Sequence, residues 1–204
     1  MDIPESIITS VNESSTERVI LNVMSTLPYD PSIETYQYGE DDQYVFKGIS
    51  QLEAGTKYYL QKLAGKGKRA DRIVTVASNE TLLPVKEKNL PSAIEVYKER
   101  IKSFISGSGI EGENLKYGLS EKNLEKKESG FTGSKYYPDI EDNSFFKVIH
   151  ESDPISRMWE TSRAIMGTAE KVELYIDMQG GNRNDIPLFS TILELLSDKN
   201  ISVC

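Results

Sequence analysis

The chain is 204 residues long, 38% hydrophobic and 27% charged, which suits one large folded domain rather than a disordered chain. Its net charge of −8 argues against a broad nucleic-acid-binding surface, but leaves room for a small pocket that takes a phosphate-bearing ligand. With one histidine, His150, and one cysteine, Cys204, the chain cannot build a disulfide framework, a cysteine metal site or a histidine-rich metal site by itself.

No stretch approaches the roughly 18 apolar residues of a membrane helix. The polar, acidic start MDIPESIITSVNESSTER is not a signal peptide, so a cytoplasmic protein without a membrane partner is the natural expectation. Any Ser-His-Asp or Cys-His mechanism would have to use His150 itself.

Residues 1 to about 17 show little periodicity and read as a short arm or edge element. Arg18–Met24, RVILNVM, is a continuous apolar run with β-branched residues, the pattern of a buried first strand in a parallel sheet. Ser25, Thr26 and Leu27 follow at its carboxyl end. Glu34–Tyr38 and Gln43–Lys47 alternate aromatic and polar residues around GEDD, predicting a β-hairpin. Ser50 can cap a helix over 51–64 that buries Leu52, Tyr59, Leu60 and Leu63. Arg72–Ala77 is a second buried strand, ending at Ser78, Asn79 and Glu80.

Pro91 is expected to open the next helix, which runs to about Ser106 with Ile94, Tyr97, Ile101, Phe104 and Ile105 at helical spacing. Residues 107–143 then turn glycine-rich and charged, and read as a mobile insertion with one short helix near Glu121–Glu128. Phe145–Ile149 is a third strand. Asp153 and Pro154 start a helix whose apolar stripe is Ile155, Met158, Trp159, Ser162 and Ile165, with Gly167 at its end. Val172–Asp177 is a fourth strand, followed by Gly180 and Gly181 and by a helix to about Ser197. Ile201–Val203 begins a fifth strand.

Alternation of this kind predicts an α/β fold: a Rossmann-like, doubly wound, mostly parallel sheet, with a β-hairpin after strand 1 and a charged insertion, in a single domain over 1–204. The strand order 3-2-1-4-5 would set strand 1 beside strand 4 and put the switch point between them. Ser25 and Thr26 would then face the Gln179–Arg183 turn across one crevice, with the tip of strand 2 one strand away. The hairpin would start on the crevice side of the sheet and the insertion on the opposite side.

Neither the dinucleotide fingerprint nor the Walker A pattern follows strand 1, so binding of NAD, FAD or ATP by the usual routes is not expected, nor is a cofactor. The candidate ligand-binding set is Ser25, Thr26, Leu27, Ser78, Asn79, Gln179, Gly180, Gly181, Asn182 and Arg183. Its hydroxyls, amides, glycine backbone and single guanidinium suit phosphates and base edges, and it is poor in general bases. Each piece also has a plain structural reading: a Gly-Gly turn joins a strand to a helix, and Ser-Thr after a strand is often only a cap. Their predicted convergence is what raises them above it.

The segment DMQGGNRNDIPLF, between an apolar strand and an apolar helix, resembles the signature of CARF domains, the CRISPR-associated Rossmann-fold sensors. That family carries Asp-x-Thr-Gly-Gly or Asp-x-Thr-His-Gly, then an arginine and a proline-started helix. Asp177, Gly180, Gly181, Arg183 and Pro187 match, while Gln179 stands where threonine is usual. VILNVMST and the tyrosine-rich YQYGEDDQYVFKG also resemble the family.

The resemblance implies a homodimer that binds a cyclic oligoadenylate, a tetra- or hexa-adenylate, across its two-fold axis in type III CRISPR antiviral signalling and controls an effector. An isologous interface suits a symmetric ring. In this family the effector is usually a fused nuclease; here the chain stops on strand 5, which is expected of a truncated chain or a stand-alone sensor. The resemblance also leaves open a ring nuclease that cleaves its ligand without metal by aligning a ribose 2′-hydroxyl, with Ser25, Asn79 and Arg183 as candidates. An unrelated α/β regulator with another small ligand is the third reading.

Overall fold

A computed structural model describes residues 16–24, 33–39, 44–85, 90–107, 130–138, 140, 142–177, 185–197 and 199–204. The strands are β1 (Thr16–Met24), β2 (Glu34–Tyr38), β3 (Tyr44–Gly48), β4 (Arg72–Ala77), β5 (Pro84–Val85), β6 (Leu90–Ser92), β7 (Phe146–Ile149), β8 (Lys171–Asp177) and β9 (Ile201–Val203). The α-helices are α1 (Gln51–Gly65), α2 (Ala93–Ser106), α3 (Asp142–Phe145), α4 (Pro154–Met166) and α5 (Asp185–Leu196).

Five strands form one parallel sheet in the order β7-β4-β1-β8-β9. In chain order of the sheet strands this is 3-2-1-4-5, the doubly wound arrangement expected from the alternation of strands and helices. β1 is central because its residues are apolar on both faces. Ile20 and Met24 pack under α1 and α2, while Val19, Leu21 and Val23 pack under α4 and α5. The hairpin β2–β3 is a separate antiparallel ribbon that leans on α1, with Phe46 in the core.

Helix starts follow capping chemistry. Ser50 accepts from the Glu53 N–H at the head of α1, and Asp153 accepts from the Ser156 N–H ahead of Pro154 in α4. α2 departs from expectation. Pro91 lies in the short strand β6, and α2 begins at Ala93 behind Ser92, which forms a reciprocal capping box with Glu95. A side chain that can satisfy an orphan N–H outcompetes a proline, which merely tolerates a helix start.

α4 departs too: Thr161 and Ile165 are buried, but Ile155 and Trp159 stand 72% and 64% exposed. The stripe read from spacing is therefore covered only in part.

The tail of the insertion packs instead of hanging free. Tyr137 is buried among Phe131 and Phe145, and its hydroxyl accepts from the Ala70 N–H at 2.7 Å, just ahead of β4. Burial raises the pKa of that phenol to about 12. This contact lies at the amino edge of the sheet, away from the strand ends, as the topology requires. The helix expected near Glu121–Glu128 falls outside the described residues. Among the described residues no helix is long and apolar enough to cross a membrane.

Candidate functional site at the carboxyl ends of β1, β4 and β8

The sheet register brings three sequence-distant stretches to one edge. Met24 pairs with Ala77, so the end of β1 lies beside the end of β4. Asn22 pairs with Asp177, so β8 ends beside β1 on its other flank. Ser78 and Asn79 follow β4 directly and are exposed, at the head of a 3₁₀ turn over Asn79–Leu82. The Thr81 N–H and hydroxyl both bond the Ser78 carbonyl, at 3.0 and 2.7 Å. That leaves the Ser78 side chain uninvolved in the cap. Ser25, Thr26 and Leu27 follow Met24, and Gln179, Gly180, Gly181, Asn182 and Arg183 follow Asp177. All eight lie outside the described residues. The strands that lead to them are neighbours at the centre of the sheet.

Beneath this edge lies a polar network that the sequence reading did not single out. Asn22, fully buried in β1, donates from Nδ2 to Tyr97 Oη at 2.8 Å and to Thr56 Oγ1 at 3.2 Å. Thr56 Oγ1 and Tyr97 Oη are 2.9 Å apart, and Thr56 donates to the Leu52 carbonyl. Thr75 of β4 is a further partner of the Tyr97 hydroxyl. β1, β4, α1 and α2 are thus tied together just below the crevice by groups that burial forces to pair. An asparagine inside the run VILNVM was the available signal, since a polar residue inside a buried strand needs a partner.

Asp177 is 6% exposed at the end of β8. Three phenols surround its charge: Tyr38 from the hairpin, Tyr59 from α1 and Tyr97 from α2. Burial raises the pKa of each, and the Asp177 carboxylate adds to the rise. All three therefore stay protonated. Tyr59 Oη donates to the Ile176 carbonyl at 2.9 Å, and Tyr38 Oη to the Gln51 carbonyl at 3.2 Å. Tyr38 also stacks on Tyr58, with ring centroids 5.1 Å apart.

A second buried cluster fixes the hairpin. Glu53, Lys57 and Arg100 are 1%, 0% and 4% exposed. Glu53 pairs with Lys57 at 3.0 Å and Arg100 at 2.7 Å, and accepts from the Ile49 N–H at 3.0 Å. Lys57 Nζ also donates to the Lys47 carbonyl at 2.6 Å. Burial opposes ionisation of Glu53, but the two cations outweigh it and hold the carboxyl below its usual range. Both groups of contacts end on β3 or just after it, so the ribbon beside the crevice is held by α1 and α2.

The arrangement offers hydroxyls, amides and backbone donors at a strand-end crevice. His150 is exposed after β7, on the far side of β4 from β1. Among the described residues, no group of three or more His, Cys, Asp or Glu side chains is placed to hold a metal ion. A cavity of about 680 Å³ lies elsewhere. It runs from Ile149 of β7 along Trp159, Arg163 and Met166 of α4 to Leu196 and Lys199 beyond α5, and touches none of the predicted ligand residues. It is mainly apolar and lies at the β7 edge of the sheet, two strands from β1.

The fold and its switch point define a Rossmann-like α/β domain. Compared with protein-family models and with curated proteins, the chain matches none.

Proposed function

We propose that this chain is a sensor domain that binds a cyclic oligoadenylate at a homodimer interface and controls an effector in type III CRISPR antiviral signalling in the cytoplasm. The observation that carries the reading is the pairing of β1 with β8 at the centre of the sheet, with Asn22 opposite Asp177. It sets the carboxyl ends of β1 and β8 side by side at a topological switch point, where nucleotides bind in such sheets. The resemblance of DMQGGNRNDIPLF to the CARF signature supports the choice of ligand.

On this reading, backbone N–H groups of the Gly180–Gly181 turn and the Arg183 guanidinium take phosphates, while Ser25, Thr26, Ser78, Asn79 and Asn182 take sugar and base edges. Two copies related by a two-fold axis present the set twice to a symmetric ring.

Titration calorimetry with cyclic tetra- and hexa-adenylate tests the reading. It requires saturable binding of one of them, at one ring per two chains, with the ring recovered intact. Binding of neither would sink it, and recovery of linear product would replace it with a ring nuclease.

A further inference from the structure

α1 contains a glycine, Gly55, in its interior, where alanine would serve a helix better. The reason lies in β8. A Cβ on Gly55 would fall 1.8 Å from Asp177 Oδ2 and 2.9 Å from Asp177 Cγ, with Tyr38 Oη at 3.5 Å. The Asp177 carboxylate therefore fills the volume that a side chain at 55 would need. Gly65, at the end of the same helix, has nothing within 4 Å of the same position, so close approach is a property of Gly55 and not of glycines in α1 generally. One helical turn after Gly55, Tyr59 holds the Ile176 carbonyl at 2.9 Å. On the strand side Asp177 is in register with Asn22, which is tied to Thr56 and Tyr97. The last two residues of β8 are thus gripped by α1 as well as by the sheet.

We propose that Gly55 and Asp177 are positioning residues for the ligand site expected just beyond β8: the bare Cα of Gly55 is the seat for the Asp177 carboxylate, and α1 thereby fixes where β8 ends. This rests on the reading of residues 179–183 as the ligand site.

The test is binding of the better-bound of cyclic tetra- and hexa-adenylate to Gly55→Ala, Asp177→Ala, the double variant and Gly65→Ala, with circular dichroism to confirm folding. Gly55→Ala overpacks the seat and is expected to weaken binding by about tenfold or more. Gly65→Ala should bind like the parent, and in the Asp177→Ala background the Gly55→Ala change should add nothing. A Gly55→Ala protein that binds like Gly65→Ala, or a loss undiminished in the Asp177→Ala background, overturns the proposal.

If the parent binds neither ring, the functional reading fails. The positioning role is then decided by hydrogen exchange in peptides covering residues 178–184. Faster exchange in Gly55→Ala and Asp177→Ala than in Gly65→Ala upholds it, and equal rates overturn it. Should Gly55→Ala not fold, Asp177→Ala alone decides by the same exchange measurement.

Discussion

The two faces of the sheet are built on different principles. Under α4 and α5 the core is aliphatic apart from Phe189: Val19, Leu21, Val23, Val74, Val76, Val172 and Leu174 meet Ile165, Phe189, Ile192 and Leu196. Under α1 and α2 the same strands and helices also bury an apolar core, including Ile20, Met24, Ile73, Leu60 and Ile101, but into it they set Asn22, Thr75, Glu53, Thr56, Lys57, Tyr97 and Arg100, all buried. An aliphatic layer gains free energy from area alone and tolerates small slips between its elements. A layer of buried polar groups is stable only when every partner is in place, so it fixes elements in one arrangement at the cost of desolvation. The polar layer lies beneath the candidate site, and it ties the hairpin, α1, α2 and the ends of β1, β4 and β8 to one another.

The comparison can be broken from the polar side first. Glu53→Ala leaves Lys57 and Arg100 buried without their anion, and should lower stability by about 3–5 kcal/mol in urea unfolding. On the aliphatic face Leu174→Ala should cost about 3 kcal/mol, and because it only opens space it should leave ligand binding intact in whatever fraction stays folded.

Acid should weaken the polar face selectively. Glu53 has a folded pKa below its unfolded value, so its contribution is complete above that unfolded value, near 4.5, and is lost as pH falls through the lower folded one. Urea midpoints should therefore drop from pH 6 toward pH 3, and drop less in Glu53→Ala. Ser92→Ala removes one half of the α2 capping box and should cost about 1 kcal/mol. Smallest of all, Trp159→Ser on the exposed side of α4 should change the unfolding midpoint by no more than about 0.5 kcal/mol equivalent. A larger loss would mean that the aliphatic face is completed by something that covers Trp159.

Much of the architecture was legible because strands and helices differ in period. The alternation of apolar strand runs such as RVILNVM, RIVTVA and KVELYID with helical patterns pointed to a doubly wound sheet, whose commonest order, 3-2-1-4-5, is the one found, and Ser50 and Asp153 announced their helices. Spacing alone said less about burial. Ile155 and Trp159 fit a helical stripe, yet a helix crossing a sheet at one angle covers only part of that stripe.

The buried triad was hidden for the opposite reason. Glu53 and Lys57 stand four residues apart, the spacing of an ordinary solvent-exposed pair, and only Arg100, 47 positions from Glu53, turns them inward. The network around Asn22 likewise depends on Tyr97, 75 residues away. Of the candidate site, Ser78 and Asn79 lie where the topology required, and Gly55 was a readable anomaly in α1 whose partner, Asp177, is distant in sequence.

The insertion leaves and returns at nearly one point. Gly107, with φ of 69°, turns the chain out of α2, and a Cβ placed there would come 3.8 Å from Ser134 Oγ, in the stretch that Tyr137 fastens to Ala70. Because the gap to be bridged is so small, the entropy of closing it rises only with the logarithm of the intervening length. This corner of the domain is therefore a natural graft point. The two ends that any intervening chain must join are held by the folded core itself, by α2 on one side and by the anchored Ser134–Tyr137 stretch on the other.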